Sequence, residues 1–346
     1  MKFLRLAFYV LIAQLVLSGC AGEGVEETSS SSSSEINFDA YLGRNASTRA
    51  GVTNIASLKK SGFGVFARYK HNGATSPLMD NEHVTWNGDH WGYTNTRYWP
   101  NEGSVDFYAF APYLENVKLV NKSESSEANP TYIEFTSSKS NVDLVWDVQK
   151  NKTVPTSSTD GKVKFVFKHA LARLGFDITA NQELEENGAV IQVEEVKLYG
   201  DTIVNGAFDI KGYLNLENGG WSRPKDNTRV VYTWTPTGAE DGTNFKLSAS
   251  QLDHTCSKIE NAPNSYLCII PQEKWVAFYL QITYTVQQGT FKEEVKVRKN
   301  LLEVRNPPEV SNPSFPFEKG KAYVFHLILS LDPINFYVTT TVVDWK

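Results

Sequence analysis

Apolar and polar residues alternate one by one along most of this chain, and that period constrains the fold more than any other feature. Side chains two positions apart share a face in an extended strand but not in a helix. Ile36, Phe38, Ala40 and Leu42 fall on one face of such a segment; Asn37, Asp39 and Tyr41 fall on the other. The pattern returns in Phe63–Lys70, Val105–Phe110, Tyr132–Thr136, Val142–Val148, Lys162–Phe167, Leu174–Thr179 and Val190–Tyr199. It continues in Val230–Trp234, Phe245–Ala249, Tyr266–Ile270, Val276–Val286, Phe291–Val297, Tyr323–Leu331 and Ile334–Val343. Turn formers such as Asn87-Gly88-Asp89, Glu217-Asn218-Gly219-Gly220 and Asp241-Gly242 separate the segments. No stretch carries a sustained helical period with caps. The expectation is an all-β chain of β-sandwiches. Its 346 residues suffice for two of them in tandem. The polar, acidic stretch Asn181–Gly188 marks the boundary, giving domains over 50–185 and 186–346; Pro155–Gly161 is the rival position.

The first 49 residues read as an address and a tether. Lys2 and Arg5 precede an apolar run, Leu6–Leu17, that only Gln14 interrupts. The run is too short for a mature membrane helix and fits the hydrophobic region of a secretory signal over residues 1–19. It ends in Leu17-Ser18-Gly19-Cys20, which resembles a bacterial lipobox: cleavage before Cys20 and acylation of its thiol would make the lipid the membrane contact. Residues 20–49 then form a lipidated tether and propeptide. The acidic Glu23, Glu26 and Glu27 and the tract Ser29–Ser34 cannot bury enough apolar surface to fold.

Charge and motif exclude several functions. The net charge is −5 with no basic block, so nucleic acid is not an expected partner. The six histidines are scattered, no Gly-rich phosphate loop or Gly-x-Ser-x-Gly turn occurs, and the acidic pairs Glu185-Glu186 and Glu194-Glu195 would face opposite sides of a strand. No enzyme, cofactor or metal is expected. Cys256 and Cys268 either pair as a disulfide in an oxidising compartment or pack as separate buried thiols. Trp86 and Trp91, in an aromatic cluster with Tyr93, Tyr98 and Trp99, either stack on sugar rings or form cross-strand pairs about the Asn87-Gly88-Asp89 turn. The sugar-stacking reading would make the protein a permanently anchored surface glycan-binding lipoprotein.

Several segments, in this order, carry a family likeness: Ile36-Asn37-Phe38, Thr48-Arg49-Ala50, Phe63-Gly64-Val65-Phe66-Ala67, Tyr98-Trp99-Pro100, and Val105-Asp106-Phe107-Tyr108-Ala109-Phe110-Ala111-Pro112. Phe167-Lys168-His169-Ala170-Leu171-Ala172-Arg173-Leu174, Gly320-Lys321-Ala322-Tyr323 and Val343-Asp344-Trp345 follow. Together they resemble the fimbrillin family, the subunits of type V pili. The resemblance implies sandwiches of Greek-key, transthyretin-like type. It also implies export to the outer membrane and cell surface as a lipoprotein. An arginine-specific protease would cut between Arg49 and Ala50, removing the tether with its strand (Ile36, Phe38, Ala40, Leu42). The emptied groove would accept a strand from another pilin subunit, building an adhesive fimbria that meets host or bacterial surface glycans and proteins. The C-terminal segment repeats the alternation in Ile334, Phe336, Val338, Thr340 and Val342. It is either a donor for a neighbour's groove or, after the turn at Asp332-Pro333, a strand of its own sheet.

Overall fold

The computed structural model describes residues 34–42, 54–122, 128–137, 142–156, 161–181, 186–200, 208–224, 229–236, 244–246, 267–271, 278–301, 317–330 and 337–345. In chain order these contain β1 (Asn37–Leu42), α1 (Ile55–Ser61), β2 (Phe63–His71), β3 (Ala74–Trp86), β4 (Trp91–Gly92), β5 (Ser104–Ala111), β6 (Tyr132–Thr136), β7 (Val145–Lys152) and β8 (Lys162–His169). Then come β9 (Ala172–Ala180), β10 (Val190–Tyr199), β11 (Phe208–Asp209), β12 (Lys211–Asn215), β13 (Trp221–Ser222), β14 (Arg229–Val230), β15 (Tyr232–Thr235) and β16 (Asn244–Lys246). The last are β17 (Leu267–Ile269), β18 (Tyr279–Gln288), β19 (Phe291–Asn300), β20 (Lys321–Leu329) and β21 (Tyr337–Asp344).

Among the described residues the first half builds a seven-stranded sheet in the order β1-β8-β7-β5-β2-β3-β4. The second half builds a four-stranded sheet, β17-β9-β20-β21, and a five-stranded sheet, β16-β15-β10-β18-β19. The strands change sheet between His169 and Ala172, where Ala170 and Leu171 are fully buried. The polar stretch Asn181–Gly188 therefore connects β9 to β10, two strands of the second half, rather than one half to the other. That stretch reads as a boundary because it is polar, whereas the crossing itself, Ala170-Leu171-Ala172, carries no turn former to mark it.

Three apolar clusters explain why. One fills the first half, with Phe38, Phe63, Val65, Phe107 and Phe165. One lies between the two sheets of the second half, with Phe176, Val193, Trp234, Ile282 and Phe325. The third draws on both halves: Phe66, Tyr108, Phe110 and Trp146 meet Leu214, Leu216, Cys268 and Trp345. The central strands serve two cores at once. On β5, Phe107, Ala109 and Ala111 face the first cluster while Tyr108 and Phe110 face the third. A strand covered on both faces must be nearly continuous in apolar residues, which is how this segment reads. Strand β6 crosses over to pair with β12 through five residues, Tyr132–Thr136 against Lys211–Asn215.

The turn after β12 plugs the junction. Gly219 lies with φ +67° directly on the ring of Trp146, so close that a β-carbon would fall within the indole. Lys319 Nζ donates to the carbonyls of Asn218 (2.9 Å) and Gly219 (2.8 Å), and Glu217 accepts from Lys150 (2.6 Å) and from the Tyr108 hydroxyl (3.3 Å). Burial first, then the neighbouring carboxylates Asp106 and Glu217, push the Tyr108 phenol well above its usual range.

The short helix α1 departs from the all-strand expectation. At α1, Asn54 accepts from the Ser57 amide (2.8 Å) and Ser57 Oγ accepts from the Asn54 amide (2.7 Å), a reciprocal cap that satisfies two end groups. Seven residues are too few to show a helical period. Asn54→Ala is expected to cost about 1 kcal/mol, read as a small fall in melting temperature; an unchanged midpoint would show that tertiary packing alone holds α1.

Cys268 is a free thiol buried on β17 rather than half of a disulfide; Cys256 lies outside the described residues. Strand β17 turns Cys268 into the third apolar cluster, and burial pushes its pKa well above the ordinary thiol value. It packs as a small apolar side chain.

Candidate functional site

Strand β1 lies at the edge of the seven-stranded sheet yet holds much of the first core. It pairs with β8 in parallel, from Asn37↔Lys162 through Phe38↔Val163 and Ala40↔Phe165 to Leu42↔Phe167. Ile36, Phe38 and Ala40 are buried, Leu42 is half-buried, and Tyr41 is exposed, so the alternation read from the sequence sets the inward face.

Phe38 is the anchor, 1% exposed. Its ring stacks on Phe165 of β8 (centroids 5.8 Å, planes 22° apart). It meets the edges of Phe107 of β5 (6.0 Å, 82°) and Phe63 of β2 (6.3 Å, 83°), and tilts against Tyr93 (5.4 Å, 55°). Edge-to-face and offset contacts of this kind add to the gain from burial alone.

A second set of bonds clasps the start of the strand from the far side. The Ile36 amide donates to the Arg97 carbonyl (2.8 Å), the Trp99 amide donates to the Ser34 carbonyl (2.9 Å), and the Tyr93 hydroxyl donates to the Ile36 carbonyl (2.7 Å). Burial raises the pKa of Tyr93, so the phenol stays a donor at neutral pH. Sequence reasoning assigned Tyr93 and Trp99 to an aromatic cluster and missed this clasp; backbone partners leave no periodic signal to find.

The other expected positions fall as follows. Trp86 and Trp91 are cross-strand partners in the β3–β4 hairpin, with ring centroids 5.3 Å apart. Trp91 is 4% exposed and packs edge-on against Phe63 at 5.0 Å, and Lys59 Nζ sits 3.7 Å over the Trp86 ring. The hairpin reading therefore describes them, and Trp91 offers no ring face to a sugar. Cys20, Arg49, Ala50, Ile334 and Phe336 lie outside the described residues. Val338 and Thr340 fall on β21, opposite Leu327 and Phe325 in an eight-pair antiparallel ladder with β20. Val342 on the same strand is exposed. His169 pairs with the buried Asp143 at 2.8 Å and stacks on Trp345 with centroids 4.1 Å apart. Among the described residues no cluster of His, Cys, Asp or Glu could hold a metal.

A family model described as fimbrillin-like matches residues 48–345. The chain belongs to the fimbrillin-like family. The matched region begins just after β1 and includes every core strand described above except that one. This fimbrillin-like chain is 24% identical to the fimbrium subunit Fim1C of Phocaeicola vulgatus, over 97% of its own length and 95% of the relative's. Its fold is shared by a crystal structure of a fimbrial protein from Bacteroides vulgatus, at 22% identity and a TM-score of 0.63, covering 90% of this chain and 99% of that one. The family is one of structural fimbrial subunits.

Proposed function

We propose that this chain is a fimbrial subunit exported as an outer-membrane lipoprotein acylated at Cys20, cut after Arg49 by an arginine-specific protease, and assembled at the cell surface by exchange of β1 for a strand of another subunit. The observation that carries the reading is the placement of β1. It is an edge strand, joined to the rest of the fold through residues 43–53, yet it completes the first core. A cut between Arg49 and Ala50 falls in that connection.

The energetics favour replacement over an empty groove. Burying Ile36 and Phe38 contributes about 2–3 kcal/mol each. Their loss removes a large share of the 5–15 kcal/mol that stabilises a typical domain. It also exposes the rings of Phe63, Phe107 and Phe165 and leaves the β8 ladder unpaired. An incoming strand repairs both defects at once. Fimbriae built this way would carry the adhesive surfaces that meet host or bacterial glycans and proteins.

The N-terminus of protein sheared from the cell surface tests the proposal by mass spectrometry. A start at Ala50 without lipid is expected. With Arg49→Ala, the chain is expected to stay monomeric and keep an acylated Cys20. Polymer formation by the uncleaved variant would overturn the exchange.

A further inference from the structure

Asn-Gly pairs stand at five places in this chain, led by Asn72, Asn87, Asn187, Asn205 and Asn218. Glycine carries no side chain to hinder its own amide, so that nitrogen can reach the Cγ of the asparagine before it. Asn87-Gly88 opens the loop of the β3–β4 hairpin, between the cross-strand partners Trp86 and Trp91. The loop residues Asn87, Gly88, Asp89 and His90 are all exposed.

Several groups converge on the Asn87 side chain. Its Oδ1 accepts from the Asp89 amide (3.0 Å) and the His90 amide (2.9 Å). This forward reach folds Cγ over the Gly88 peptide, as in an Asx turn. Its Nδ2 lies 3.0 Å from His90 Nε2 and 3.2 Å from His90 Nδ1. Among the described residues the Gly88 N–H makes no hydrogen bond. The side-chain amide thus has two N–H donors where negative charge would develop, an imidazole beside its nitrogen, and a free backbone nitrogen next to its carbon. Asn72 and Asn218 lack parts of this set. Asn72 Nδ2 meets His71 Nε2 (2.8 Å), but among the described residues no N–H donates to its Oδ1. At Asn218 the Gly220 amide donates to Oδ1 (2.7 Å), while the Gly219 N–H is committed to the Asn215 carbonyl (2.7 Å).

We propose that Asn87 is a self-modification site, converted by its own hairpin loop to aspartate and isoaspartate. The Gly88 nitrogen loses its proton to solvent and bonds to Cγ of Asn87; the oxyanion forms on Oδ1, facing the Asp89 and His90 amides. The protonated His90 ring gives a proton to Nδ2, the Cγ–Nδ2 bond breaks, and ammonia leaves. A cyclic imide remains. Water opens it at either carbonyl, and His90 takes a proton back from solvent. The sum is asparagine plus water going to the acid plus ammonia, with no oxidant or other reagent. Both products place a carboxylate at the hairpin tip, and isoaspartate also lengthens the backbone by a methylene between Trp86 and Trp91. Trp91 packs against Phe63, so the change bears on the hairpin that covers the first core.

Peptide-mapping mass spectrometry tests it on the intact chain, incubated in one neutral buffer either folded or unfolded by guanidinium chloride. Each Asn-Gly pair is followed by the mass gain of amide-to-acid conversion, and isoaspartate by its separate elution. Folded Asn87 is expected to convert at least about threefold faster than unfolded Asn87, because the reacting groups are already in place. Folded Asn218 is expected to lag folded Asn87 by about tenfold or more, because its nucleophile is tied up. His90→Gln is expected to slow folded Asn87 about tenfold at an unchanged melting temperature, and to leave the unfolded rate as it was. Folded Asn87 converting no faster than unfolded Asn87 overturns the proposal. So does an undiminished folded rate in His90→Gln, or Asn218 keeping pace with Asn87 in the folded chain.

Discussion

Phe38→Asp is expected to destabilise the uncleaved chain by about 5 kcal/mol or more, since a large-to-small change at a core phenylalanine costs about 3–5 kcal/mol and a buried carboxylate adds to it. The ring touches Phe63, Tyr93, Phe107 and Phe165, and no basic side chain is among those contacts to receive a charge. Tyr41→Asp, three residues on and on the outer face, is the matched control; it is expected to change stability by no more than about 0.5 kcal/mol. Thermal or denaturant unfolding of the two variants reads the difference. Equal midpoints would mean that the first strand is not part of the core. The same Phe38 change is expected to leave a chain already cut at Arg49 unaffected, because the residue is gone from it. That contrast separates a loss of propeptide packing from general misfolding.

Gly219→Val carries the second large effect. The residue holds φ +67° and supports the Trp146 ring at contact distance. A β-branched side chain is disfavoured at positive φ by about 1–2 kcal/mol, and overpacking adds about 1–3 kcal/mol. Trp146 must move, and with it the third core that joins the two halves. The expected result is a loss of about 2–5 kcal/mol together with a red-shifted tryptophan emission as the indole meets water. Gly188→Val serves as the control: it also has positive φ, at +65°, but no atom lies within 4 Å of where its β-carbon would stand. If both variants fall by the same amount, backbone strain alone explains the loss and the Trp146 contact contributes nothing.

Strands with one wet face were legible where the period held. Val190–Tyr199 reads as a strand from its sequence and forms β10 over the same residues. Phe38 was assigned inward from alternation alone, and the Trp86–Trp91 pair from the turn between them. Strand β3 was not legible. Its buried residues, Met79 and Val84, fall on opposite parities because the chain bulges near Asn81, which sits at φ +51°. A bulge adds a residue and shifts every later side chain to the other face, so period-2 reasoning loses the segment. The junction was illegible for another reason. Leu214, Leu216 and Trp345 are apolar residues that any sandwich core could take. Nothing local says that their partners are Phe66, Phe110 and Trp146, more than a hundred positions away by chain for most pairs. The clasp on β1 escaped likewise, since the carbonyls of Ser34 and Arg97 carry no side-chain signature.

The parallel sense of the β1–β8 ladder reaches beyond a single subunit. Any segment that took the place of β1 in the same register, with its large ring at the Phe38 position, would have to run in the direction of β8. The acceptor edge and the donated strand are then different surfaces meeting in one fixed sense. Such a head-to-tail contact is heterologous; repeated with a rotation that does not close, it propagates as an open chain. The fibre would be polar, with an unfilled groove at one end and an unused strand at the other, and growth and anchorage would be assigned to opposite ends by the direction of one edge strand.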